Sequence, residues 1–182
     1  MKLNMININS TTIAVETSEE LKEILEGNNE ITLIYLAKDI TLSIGISILK
    51  TKKTITIDGL YPTDGTGTIH TYTDMNSAGS GDTIGVRGTS SINVIVQNLN
   101  VIGRNCYGII YVPDGTAYQN IVITYKGPQI TYHPSGLSIY ENLDITIVDS
   151  TAVSANEVAE TYQLQIKGKN KIVHNSTENS AF

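Results

Sequence analysis

The sequence predicts an all-β chain wound as a parallel β-helix, a solenoid of short-stranded coils opened by one helix. Three observations predict it. The strings Gln97-Asn98-Leu99-Asn100-Val101, Gln119-Asn120-Ile121-Val122-Ile123 and Glu141-Asn142-Leu143-Asp144-Ile145 recur every 22 residues, and Tyr118, Tyr140 and Tyr162 keep the same interval. A fixed period of strand-like content marks one supersecondary unit stacked on copies of itself. The chain has no Trp and one Phe, so its core must come from Ile, Val and Leu, and the β-branched residues among these suit strands. Finally, a rung of that length traces about 70 Å at about 3.3 Å per strand residue. That fits one coil of a three-sided solenoid and falls short of a propeller blade of about 40 residues. The fixed leucine pattern of a leucine-rich repeat is absent.

Residues 1–15 alternate in part (Leu3, Met5, Ile6, Ile8, Ile13, Val15) and read as an extended arm or first strand. Residues 17–26 read as a helix. Thr17 and Glu20 form a capping box, Glu19 and Glu20 favour the positive end of the helix dipole, and Leu21, Ile24 and Leu25 make one apolar face. Gly27 ends it. Its expected task is to cover an open end of the strand stack, because unpaired strand edges aggregate. Residues 31–173 are expected to form the coils, with strands near 31–36, 38–42, 44–49 and 53–59. Residues 60–82 are a long loop holding one strand at 68–72. The tripeptides Pro113-Asp114-Gly115 and Pro134-Ser135-Gly136 mark matching turns, one before Tyr118 and one before Tyr140. Residues 174–182 form a polar tail, and the whole chain 1–182 is expected to be one domain.

Composition narrows the partners. A net charge of −6 and only two arginines, Arg87 and Arg104, argue against nucleic acid, which needs a clustered cationic face. The lysine groups Lys50, Lys52, Lys53 and Lys167, Lys169, Lys171 read as solvated strand faces. Cys106 is alone, which leaves no disulfide framework and no cysteine metal site; a buried apolar thiol is the expectation. Residues 1–10 lack the apolar run of a secretory signal, and no stretch is long enough to insert in a membrane.

From about residue 15 to residue 173 the chain resembles the right-handed parallel β-helix proteins of the pectate-lyase-like superfamily. The resemblance is carried by the rungs just quoted and by the opening: a short helix, an Ile-rich strand ending near Lys38-Asp39-Ile40, and the turn Ile55-Thr56-Ile57-Asp58-Gly59. That opening is similar to the pectate-lyase-like adhesive domains of Gram-positive surface proteins. The resemblance implies a right-handed coil, a place at the cell surface or outside the cell, and an Asn stacked on itself from coil to coil. The matching positions are Asn98, Asn120 and Asn142, with Leu164 departing from the pattern. Physics supports such a ladder, since amides stacked about 4.8 Å apart donate and accept along the axis. Single turn asparagines are the plainer reading of the same residues.

Catalysis is harder to place. A Ca²⁺-dependent lyase needs several carboxylates converging on the ion, yet stepping by 22 from Asp144 meets Val122 and Asn100, and from Asp114 meets Gly136. A glycosidase needs two acids about 5 to 9.5 Å apart. Asp58, Asp82 and Asp144 are the candidates, with His70 near the first two if the loop folds back. No nucleophile elbow, P-loop or dinucleotide fingerprint occurs. The tyrosine column at Tyr118, Tyr140 and Tyr162 is either a sugar platform or a set of rings holding coils in register. The expected function is thus a non-catalytic adhesive or structural surface module without cofactor or metal, self-associating as a homo-oligomer or filament through its ends or its arm. Surface polysaccharide is a second partner class. The alternative is a polysaccharide-active lyase or glycoside hydrolase.

Overall fold

The computed structural model describes residues 5–48, 54–62, 67–75, 83–86, 92–104, 110–111, 121–126, 129–133, 143–148, 151–154 and 163–174, with side chains up to residue 111 and over 165–171. Strands β1 (Ile6–Asn9) and β2 (Thr12–Val15) lead into helix α1 (Ser18–Glu26). Next come β3 (Leu33–Leu36), β4 (Ile40–Thr41) and β5 (Ile46–Ile48). The trio recurs as β6 (Thr54–Asp58), β7 (Thr71–Thr73) and β8 (Ile84–Val86), and again as β9 (Asn93–Gln97), β10 (Asn100–Ile102) and β11 (Ile110–Tyr111). Pairs follow: β12 (Ile121–Lys126) with β13 (Gln129–His133), β14 (Leu143–Val148) with β15 (Thr151–Ser154), and β16 (Gln163–Lys167) with β17 (Lys171–His174). The described chain is therefore mostly strand with one helix.

Three sheets result, and each trio adds one strand to each. Their orders are β1-β2-β3-β6-β9-β12-β14-β16, then β17-β15-β13-β10-β7-β4, then β11-β8-β5. The first sheet is mixed. β1 runs antiparallel to β2, while every other pairing between the named strands is parallel. Part of the predicted arm thus folds back as a hairpin. The turn is fixed by Asn9, whose Oδ1 accepts from Thr11 N at 2.9 Å.

Register departs from a uniform beat. The first sheet steps by 22 residues from Ile121 to Leu143, but by 29 from Gln97 to Lys126, by 19 from Asp144 to Gln163 and by 39 from Thr54 to Asn93. Hydrophobic phase, not sequence interval, sets the pairing, because a one-residue slip would turn each inward side chain outward. The difference in length falls between the strands. Gln97 therefore lies beside Lys126, one strand's length from the place the 22-residue repeat assigns it.

The inward positions alternate along each strand. Ile13, Ile34, Ile57 and Val96 form one row across β2, β3, β6 and β9, all at most 3% exposed. Each such burial contributes about 1.5–3 kcal/mol. Helix α1 adds Leu21, Ile24 and Leu25 to the same core. Its start is a capping box with a twist: Thr17 Oγ1 accepts from Glu20 N at 3.2 Å, while Glu20 Oε2 reaches one residue farther back, to Glu16 N at 2.7 Å. Gly27 has an ordinary negative φ of −71°. It is needed for space, since a Cβ there would lie 2.3 Å from the Glu23 carbonyl oxygen.

Candidate functional site

The best-defined polar cluster sits where the first sheet turns into the second. Alternation sends Ile55 and Ile57 inward and leaves Asp58 at the end of β6, 5% exposed. Asp58 Oδ1 accepts from Leu60 N at 2.9 Å and Asn98 Nδ2 at 3.1 Å, and Oδ2 accepts from Gln97 Nε2 at 2.6 Å. Gln97 is the register partner of Asp58 on β9, so the bond joins neighbouring strands. Asn98 follows in the left-handed region, φ 48°, which Asn tolerates better than most residues. Its carbonyl lies so close to Gly59 that a Cβ on Gly59 would come within 2.1 Å of it. Beside this corner, Tyr35 and Tyr61 pack at a centroid separation of 5.8 Å.

The corner continues along the axis. Gly59 N donates to Gln97 O, His70 N to Gly59 O and Asn100 N to His70 O. Asp39 Oδ1 accepts from Thr71 N at 2.8 Å and lies 3.4 Å from His70 Nδ1. At the far end of β7, Asp74 is fully buried and accepts from Arg104 N at 3.3 Å. Burial first, and then the negative charge of Asp74, push the Tyr72 phenol well above its ordinary range. Tyr72 also borders a small apolar cavity lined by Leu21, Ile57, Ile84, Val96, Leu99 and Ile110.

A second polar cluster lies where α1 meets β5, the edge of the third sheet. Glu26 Oε1 accepts from Ser47 N at 2.9 Å, and Lys22 Nζ donates both to Glu26 and to the Gly45 carbonyl at 2.8 Å. A side-chain donor and acceptor thus take the place of a missing neighbour strand. Ser43 Oγ donates to Glu19 Oε1 at 2.5 Å, so Ser18 Oγ is the donor in its 2.7 Å bond to Ser43. The Ser43 hydroxyl holds the Glu19 carboxyl below the usual range, helped by backbone N–H.

Of the acids named from sequence, Asp58 is placed in full and Asp82 lies outside the described residues. Asp144 is in β14, in register with Val122 and Gln163. Through Val122 its row reaches Asn93 and Thr54, four residues from Asp58 along β6 and three strands away. At about 4.8 Å per strand and 3.3 Å per residue that is about 20 Å, well beyond a glycosidase pair. Asn98 bonds to Asp58, and Asn120, Asn142, Tyr118, Tyr140 and Tyr162 lie outside the described residues. No three His, Cys, Asp or Glu side chains converge as a metal set among the described residues. The partnership of Asp58 with Gln97 and Asn98 had a readable signal: Thr54-Ile55-Thr56-Ile57-Asp58-Gly59 and Asn93-Val94-Ile95-Val96-Gln97-Asn98 share one phase. Asp39 and Asp74 had none: Asp39 falls within the expected strand at 38–42, and Asp74 in the loop-rich stretch 60–82.

A family model described as "putative pectate lyase-like adhesive domain" matches residues 12–135, about two thirds of the chain. No curated protein and no solved structure matches it significantly.

Proposed function

The chain belongs to the pectate lyase-like adhesive domain family, and on that premise we propose that it is a non-catalytic adhesive module whose coils form a right-handed parallel β-helix displayed at a cell surface. The observation that carries this reading is the state of Asp58. Its carboxylate is buried and occupied by three hydrogen bonds, two of which tie one strand's turn to the next. A general acid or nucleophile needs an oxygen free for substrate, and both oxygens of this carboxylate accept from donors of the chain itself. The distance of about 20 Å to Asp144 sets that carboxylate apart from Asp58. Three-stranded recurrence supports the coil: seven parallel strands of the first sheet, about 4.8 Å apart, make a rigid face about 30 Å long.

On this reading the flat outer face or the ends of the stack make the contacts, with a surface polysaccharide or further copies of the chain as partners. The test is binding and turnover measured together on a panel of acidic and neutral polysaccharides. Retention on a polysaccharide without new reducing ends or unsaturated products supports the adhesive reading. Turnover that Asp58→Asn abolishes while the fold is retained would overturn it.

A further inference from the structure

We propose that a second copy of this chain docks head to tail, its β16–β17 face against the α1–β1 face of the first; the proposal rests on the adhesive reading above and specifies its self-association. Among the described residues β1 and β16 are the two edges of the first sheet, and each edge there has one row of backbone groups with no partner strand in that sheet. Helix α1 covers the edge of the third sheet through Lys22 and Glu26 but leaves β1 as the edge of the first. Apolar side chains mark both edges. Ile166 stands in register with Ile147, in the row that Ile34, Ile57 and Val96 occupy. Those three are at most 3% exposed, whereas Ile166 is 47% exposed, and Ile6 and Ile8 on β1 are 37% and 40% exposed.

Charge decides how copies meet. Lys167, Lys169 and Lys171 are exposed at the β16–β17 turn, and Glu19, Glu23 and Glu30 are exposed on and just after α1. A symmetric contact of either face with itself brings like charges together, whereas head to tail brings opposite charges together. Strand direction agrees. β1 runs opposite to the rest of its sheet, so the β16 of a copy stacked in the same orientation meets β1 antiparallel, the pairing slightly more stable per residue. Such a heterologous contact does not close on itself, and it builds a linear assembly.

The experiment is sedimentation velocity on the full chain over a concentration series, at about 0.1 M and about 1 M salt, where the screening length falls from about 10 Å to about 3 Å. Assembly that weakens about tenfold or more at high salt is expected. The triple variant Lys167→Glu, Lys169→Glu, Lys171→Glu should be monomeric, as should Glu19→Lys, Glu23→Lys, Glu30→Lys, each with wild-type circular dichroism. Mixing the two should restore a complex, because one then offers an acidic β16–β17 face and the other a basic α1–β1 face. A wild type that stays monomeric at low salt overturns the proposal, as does a lysine variant that assembles like wild type. Polysaccharide retention and turnover are measured on the wild type and on both variants: retention without assembly in the wild type sinks this proposal alone, and assembly accompanied by turnover that Asp58→Asn abolishes sinks the adhesive reading alone.

Discussion

Asn98 donates from Nδ2 to Asp58 Oδ1 across 3.1 Å, joining the turn after β9 to the turn after β6. With Gln97 on the other carboxylate oxygen and Leu60 N on the same one, the carboxylate organises the corner between two sheets. Asp58→Ala is expected to destabilise the fold by about 2 kcal/mol, since Leu60 N and the two amides lose their acceptor in a largely dry corner. Asp58→Asn keeps one acceptor oxygen but turns an amide toward a donor, and a loss of about 1 kcal/mol is expected. Urea denaturation measures both. A variant as stable as wild type would remove the structural role on which the non-catalytic reading stands.

The same corner separates two reasons for a small or special residue. Gly59 is needed for space, so Gly59→Ala must push back the Asn98 carbonyl and should cost about 1–3 kcal/mol. Asn98 is instead held by its backbone angle. Asn98→Gly relieves that angle and loses one half-exposed hydrogen bond, so a change under about 1 kcal/mol is expected, whereas Asn98→Ala loses the bond and keeps the strain, costing about 1–2 kcal/mol. Thermal midpoints should fall in the order wild type, Asn98→Gly, Asn98→Ala. An Ala variant at least as stable as the Gly variant would mean that the left-handed turn is not formed.

Helix α1 and the Asp58–Gly59 turn were legible because local chemistry specifies them. Thr17 with Glu20 signals a cap wherever the chain goes, and Thr54-Ile55-Thr56-Ile57 alternates for any sheet. Register was not legible. The 22-residue interval holds from Ile121 to Leu143, but the step is 29 residues from β9 to β12 and 19 from β14 to β16. A turn tolerates such changes at little energetic cost, since loop closure depends only weakly on length. Matching strings therefore came to lie in different rows. Asp39 and Asp74 were illegible for the complementary reason: their partners, Thr71 N and Arg104 N, are backbone groups about 30 residues away, and any residue would supply an N–H there.

Glu26 substitutes for a neighbour strand at the edge of β5. Glu26→Ala leaves Ser47 N without its acceptor and should cost about 1–2 kcal/mol, whereas Glu26→Gln keeps a carbonyl oxygen for that bond and loses only the half-exposed ion pair to Lys22, worth about 0–1 kcal/mol. Because an uncovered strand edge recruits other strands, light scattering on warming should rise earlier for the Ala variant than for the Gln variant. Equal scattering from both would show that the helix protects the edge through its apolar face alone.

Tyr72 sets the alkaline limit. Its phenol is raised by burial and by the charge of Asp74, so the folded state holds a proton that the unfolded chain releases near pH 10 (about the ordinary tyrosine value). Above that pH the unfolded state binds fewer protons than the folded one, and the stability of the fold must fall as pH rises toward the folded-state value. Below it the contribution is present in full. Urea midpoints are therefore expected to hold steady up to about pH 9 and then decline. Tyr72→Phe removes the titrating group and keeps the ring that borders the apolar cavity. It should flatten that decline while leaving the neutral-pH midpoint within about 1 kcal/mol. The discriminating measurement is phenolate absorbance against pH for the wild type and Tyr72→Phe: the one phenolate by which they differ should appear only together with unfolding. If it appears while the fold is retained, the Tyr72 hydroxyl is open to solvent and the packing of β7 against β10 is looser than its burial indicates.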